Sequence, residues 1–183
     1  MAKKKVILVD ADVISHFIAT GRIDYLSPIL APHTIYVVEQ VYDEAAYHPF
    51  YDNRKQELDN WMKNFGILKI PFPSANKQIQ LEYYRLKKES PRFGNGERAC
   101  MAIARYNKEV IASSNFRDVA DYCKKYEIEH LGVLDILTIA LRKGIFDAIV
   151  CNKFIHDAMI INEAKFPVST IEEYKTNKHL DDF

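Results

Sequence analysis

Runs of consecutive apolar residues alternate along this chain with stretches whose apolar positions recur every three or four residues, and the alternation carries the fold. In residues 4–12, KKVILVDAD, Val6, Ile7, Leu8 and Val9 follow one another without a polar interruption. That run has neither the alternation of a strand wetted on one face nor helical spacing, so it predicts a central parallel strand buried on both sides. Val13, Ile14, Phe17 and Ile18 then share one face of a helix that stops at Gly21, with Asp12 standing where an N-cap is wanted. Residues 23–30 predict a short helix cut by Pro28, and residues 34–38, TIYVV, a second buried strand. Residues 39–46 predict a helix that begins at Glu39 and carries Val41 and Ala45 inward, with Glu44 close to that side.

His48, Pro49 and Asn53 mark a loop, after which Leu58, Trp61, Met62 and Phe65 define an amphipathic helix closed by Gly66, Trp61 and Met62 being core. A short strand at 68–70 precedes Pro71 and Pro73, and Ile79, Tyr83 and Leu86 carry a helix between Ser74 and Ser90. A turn at 91–95 leads into a helix whose Ala99, Ala102, Ile103 and Ala104 permit close packing on a sheet, with Glu97 in its first turn. Further on come a strand at 109–112, a helix over 113–126, a strand at 129–131, a helix from Leu134 to Leu141 and a helix capped by Asp147. Ser169 and Glu172 predict a capping box for a last short helix, and residues 176–183 a frayed tail. Strands separated by helices throughout predict an α/β fold: three layers, α/β/α, around a parallel, doubly wound central sheet.

A length of 183 residues with 48% hydrophobic content predicts one domain over residues 1–183, with an enlarged helical segment at 47–92. The 25 basic and 25 acidic residues cancel, so no whole-molecule field holds a polyanion and any such site is a local patch. Cys100, Cys123 and Cys151 are odd in number and widely spaced, which fits reduced packing thiols in a cytoplasmic protein. No apolar run approaches the roughly 20 residues of a membrane span, and the lysine-led start precedes a strand too short for a signal-peptide core. A soluble, cytoplasmic protein with no membrane partner is expected.

The candidate chemistry is acidic. Asp10 ends the first strand, Glu44 follows the second, Glu97 opens a helix and Asp118 lies just past the strand at Val110. Open α/β sheets bind ligands at the carboxyl ends of their strands, and a buried strand-end acid with no nearby lysine or arginine costs several kcal/mol unless a cation pairs with it. Converging carboxylates repel unless a divalent ion sits between them, and hard oxygen donors suit Mg²⁺ or Mn²⁺. Such an ion acidifies bound water and offsets charge growing on phosphorus, the requirement of phosphodiester hydrolysis. No Gly-rich phosphate loop, GxSxG elbow or GxGxxG segment competes. The first-turn position of Glu97 favours its ionised form at neutral pH. Arg54, Lys55, Lys63, Arg85, Lys87 and Lys88 are either a phosphate patch or solvated helix faces.

VILVDADVI, VVEQVYDEA, GNGERACMAIA, VIASSNFRDVADYC and LGVLDILTIALRKGIF, in this order and spacing, resemble the PIN domain, the fold of metal-dependent ribonucleases that include VapC-type toxins. The resemblance implies Asp10, Glu44, Glu97 and Asp118 as catalytic metal ligands for Mg²⁺ or Mn²⁺ and the first strand beside the Val110 strand. It implies RNA as substrate, a homodimer and, for a toxin, an antitoxin protein as partner. Asp12, Ser114 and Asn115 are expected to support the ligands or orient substrate. Two departures stand out: Ser114 and Asn115 replace the acids that many relatives carry directly after the strand, so the fourth role falls to Asp118 or is shared with Asn115, and the middle segment is longer. An acid three residues after Asn115 also serves a helix start. The alternative function is a catalytically weak PIN-like module that binds RNA or protein without cutting.

Overall fold

The computed structural model describes residues 4–47, 53–115 and 117–183, so the expected loop at His48 and Pro49 lies outside the described residues. Five strands, β1 (Val6–Val9), β2 (Thr34–Val38), β3 (Leu68–Ile70), β4 (Val110–Ala112) and β5 (His130–Leu131), form one sheet in the order β3-β2-β1-β4-β5. All neighbouring pairs are parallel, with Ile7 opposite both Ile35 and Val110. The chain winds outward from β1 through β2 to β3, then returns to β4 and β5 on the other side. The switch point therefore falls between β1 and β4, where ligands sit in such sheets. Ile7, Leu8 and Val9 are wholly buried, as a strand covered on both faces demands.

Helices cover both faces in a three-layer α/β/α arrangement: α1 (Ala11–Ala19), α2 (Ile23–Leu30), α3 (Glu39–Ala46), α4 (Arg54–Phe65), α5 (Lys77–Glu89), α6 (Asn95–Asn107), α7 (Asp118–Tyr126), α8 (Val133–Arg142) and α9 (Ala148–Ile161). The small residues of α6 let it lie close along β1, β2 and β4, and Ala99, Cys100, Ala102 and Ala104 are all buried. Gly66, with φ 63°, ends α4 in the left-handed conformation expected of it. The three cysteines are free and buried. Among the described residues no helix is long and apolar enough to cross a membrane.

The structure departs from the expected boundaries where side chains compete for backbone groups. Asp10, not Asp12, caps α1, because its carboxylate accepts from Ala11 N and the helix starts one residue after the strand. Pro28 lies inside α2 without cutting it; burial of Leu26, Ile29 and Leu30 carries the helix on to Leu30. The helix expected from residue 113 begins at Asp118, since the side chains of Ser113 and Asn115 bond to nearby backbone N–H groups and hold a loop instead. The last capping box is Thr170 with Glu173, one residue later than expected, and closes a 3-10 turn, Ile171–Glu173.

The tail expected to fray is instead tied down. Asp135 is fully buried in the first turn of α8, where its carboxylate needs donors. The tail supplies them: Tyr174 and Thr176 hydroxyls donate at 2.8 and 2.9 Å, and Lys178 Nζ at 2.6 Å. Leu180 is then buried, and His33 Nε2 bonds the Asp182 carbonyl at 2.7 Å.

A second buried acid joins the helices around α6. Glu82 of α5 is 3% exposed and accepts from Arg85 at 2.6 Å, from Arg105 of α6 at 2.6 Å and from the Tyr122 hydroxyl of α7 at 2.7 Å. Burial pushes its pKa up, but these donors outweigh it and hold the carboxyl down at about 2. A carboxylate with a depressed folded pKa contributes stability above its unfolded value, and the contribution fades as pH falls from about 4.5 towards 2. Glu82→Gln should therefore cost about 3 kcal/mol at pH 7, since it removes the buried charge that Arg105 pairs with and leaves Arg85 only Glu89. Urea titrations of both proteins at pH 7 and pH 3 check this: the gap should narrow at pH 3, and an equal gap at both would locate the loss in packing.

Candidate functional site

Because β1 and β4 are neighbours, the residues that follow them meet: Asp10 N donates to the Ala112 carbonyl at 2.8 Å, and the Ser113 hydroxyl donates to Asp10 Oδ2 at 3.1 Å. Ala11 N donates to Oδ1 at 2.8 Å. Asp10 is 3% exposed and both its side-chain partners among the described residues are neutral, so two dipoles there solvate its charge. Burial pushes its pKa well above the usual carboxylate range; Glu97 and Asp12 push the same way, and the bonds from Ala11 and Ser113 only partly offset them.

The opposite wall is made by α3 and the start of α6. Gly96 N donates to Glu44 Oε1 at 3.1 Å. A Cβ on Gly96 would stand 2.7 Å from Glu44 Oε2 and 2.9 Å from Val41 Cγ2, so the glycine permits the two helices to approach. One residue on, Glu97 accepts from Asn115 Nδ2 at 3.0 Å. Burial pushes Glu97 up to about 7, Asp12 and Asp118 add to the effect, and the Asn115 bond opposes it. The helix-start argument for a fully charged Glu97 at neutral pH is thus overturned by burial among like charges.

These groups surround one pocket of about 260 Å³, lined by Asp10, Asp12, Glu44, Arg92, Glu97 and Asn115 with backbone from Ala11 and Gly94. Ser114 lies beside it and donates to Asp12 Oδ2 at 3.4 Å. Asp118 is not among the lining residues: its carboxylate is paired with the Arg92 guanidinium, and its backbone N donates to Asn115 Oδ1 at 3.1 Å. Asn115 therefore does two things, orienting Glu97 with its amide nitrogen and starting α7 with its oxygen.

Ser113, Arg92 and the two glycines are site residues that motif reading passed over. Ser113 had a signal, being the first polar residue after a wholly apolar strand; Arg92 had none, because its place depends on how residues 91–95 fold against α7. Three of the candidate patch cations have other commitments. Arg85 is committed to Glu82 and Glu89, Lys55 to Asp59, and Arg54 is buried.

Among the described residues no three Asp, Glu, His or Cys side chains converge closely enough to cage a bare ion. The donor set is nevertheless hard oxygen, and its one lining cation, Arg92, is bonded to Asp118. Carboxylates spread around such a pocket fit a Mg²⁺ or Mn²⁺ ion that keeps part of its water shell, with Asp10, Glu44 and Glu97 as the residues that would hold it. Comparison with protein-family models, curated proteins and solved structures gave no match.

A carboxyl with a raised folded pKa weakens the fold progressively as pH climbs from its unfolded value, near 4.5, to its folded value, near 7. Glu97→Gln removes that burden and keeps a group able to accept from Asn115. In chelator, its stabilisation over the parent should stay below about 1 kcal/mol at pH 5 and reach about 3 kcal/mol at pH 8. Urea titration at both values checks this, and equal or reversed differences would show that Glu97 is comfortably charged.

Proposed function

We propose that this chain is a PIN-type, divalent-metal-dependent ribonuclease that hydrolyses phosphodiester bonds in RNA. The reading rests on one observation: a buried strand-end carboxylate with no cationic partner among the described residues, Asp10, faces Glu44 and Glu97 across a single pocket at the switch point of a parallel sheet. Mg²⁺ or Mn²⁺, when bound, supplies an acidified water and charge stabilisation at phosphorus. The protein's part is positioning. Ser113 and Ala11 N fix the two oxygens of Asp10, Gly96 N fixes Glu44 and Asn115 fixes Glu97, so the carboxylates are oriented before substrate arrives. Arg92, exposed and paired with Asp118, would meet a non-bridging phosphate oxygen. Asp118 then acts through Arg92, unless it leaves that pairing to serve as the fourth ligand.

One observation favours the second reading, a PIN-like module that binds RNA or protein without cutting: the described carboxylates do not form a closed cage. Turnover separates the two. Single-stranded RNA should be cut in millimolar Mn²⁺, with no cutting in EDTA and a loss of about a hundredfold or more in Asp10→Asn. Activity that survives EDTA or Asp10→Asn would sink the nuclease reading. Asp118→Asn should cost less than about tenfold, the scale of an exposed ion pair; a loss equal to that of Asp10→Asn would return Asp118 to the ligand set.

A further inference from the structure

On the far side of Asp12 lies a second pocket, of about 350 Å³, and Asp12 lines both. The two hollows therefore adjoin across one side chain, which Ser114 braces from the second pocket. The floor is His16, one helical turn along α1 from Asp12, and the walls come from Arg54 at the start of α4 and from residues 162–166 beyond α9. At Glu163 the backbone takes a φ of 51°, which reverses the chain so that Asn162 and Phe166 both return onto His16. Asn162 Nδ2 bonds His16 Nδ1 at 3.1 Å, and the Phe166 ring lies 5.9 Å from the imidazole at 60°. Arg54 is buried with a guanidinium nitrogen 3.4 Å from the Ser15 carbonyl, while Lys165 stands exposed on the rim beside Glu163.

A half-buried aromatic face, an amide able to read a base edge and an exposed rim cation around a concave volume form the set that holds an unpaired nucleotide. The volume lies at the low end of small-ligand sites, which run to roughly 300–1,000 Å³. A duplex would not fit, since its bases stay stacked and its backbone needs a wider groove.

We propose that this second pocket holds the nucleotide next to the scissile phosphate of a single-stranded RNA, with Phe166 stacking on its base and Lys165 receiving its phosphate. The assignment rests on the ribonuclease reading for what lies next door. It also gives a task to residues 162–166, which belong to none of the motifs that resemble the PIN family. A strand laid across Asp12 would have one phosphate at the acidic pocket and the neighbouring base against Phe166.

The test uses the full-length protein and fluorescein-labelled single-stranded RNA, with cleavage rates in Mn²⁺ and binding by anisotropy in EDTA. Phe166→Ala and Lys165→Glu should each raise KM and the anisotropy Kd by roughly tenfold, the scale of one stacked base, and leave kcat unchanged. Phe166→Tyr should restore both, which separates loss of stacking from loss of structure. Lys165 is exposed, so its variant tests the pocket even if Phe166→Ala is unstable. Cleavage by the parent with unaltered KM and Kd in both variants would overturn the second pocket and leave the nuclease reading standing. RNA binding weakened by both variants, in a parent that never cuts, would support the pocket and overturn the nuclease reading.

Discussion

Everything at this site depends on burying a carboxylate at the end of the central strand. Asp10 ends β1, caps α1 and accepts the Ser113 hydroxyl across the β1–β4 switch point. One side chain thus joins the sheet, the first helix and the loop after β4. Capping by a carboxylate is worth about 1 kcal/mol, whereas burying the charge beside Glu97 and Asp12 costs more. The fold tolerates the arrangement because some 50 other positions, from Ile7 to Leu180, are apolar and buried around it.

The structure contains a contrast that shows how unusual the pocket is. Glu82 and Asp135 are equally buried acids, yet each is surrounded by cations and hydroxyls, and both carboxyls are held below their ordinary range. Asp10 and Glu97 have only neutral donors and other acids, and both are pushed upward. The first pair stabilises helix packing and the C-terminal tail. The second pair, when ionised, has a surplus of negative charge that a cation would relieve, which the capping by Asp10 does not explain.

The sheet and the placement of Asp10 were legible because they follow from local pattern: an unbroken aliphatic run cannot be a wetted strand, and its following acid must lie at a strand end. Helix starts were less legible wherever Ser, Asn or Asp had two backbone partners to choose between, as at Asp10 against Asp12 and Ser113 against Asn115. The bonded tail was hidden because the donors for Asp135 lie about 40 residues away in sequence. Arg92 was hidden for the same reason, since its partner Asp118 is 26 residues on. Glu97 was misjudged because the favourable field of one helix turn, below about 1 kcal/mol, was set against a desolvation that is larger and invisible until the fold is known.

The central claim is that these carboxylates carry protons which a divalent cation displaces. Calorimetric titration with Mn²⁺ at pH 6, in two buffers of different ionisation enthalpy, measures that directly. With Glu97 pushed up to about 7 and Asp10 pushed the same way, binding should release at least about one proton per ion, and Glu97→Gln should lower the release by nearly one. Absence of binding, or binding with no proton release in either protein, would contradict the account.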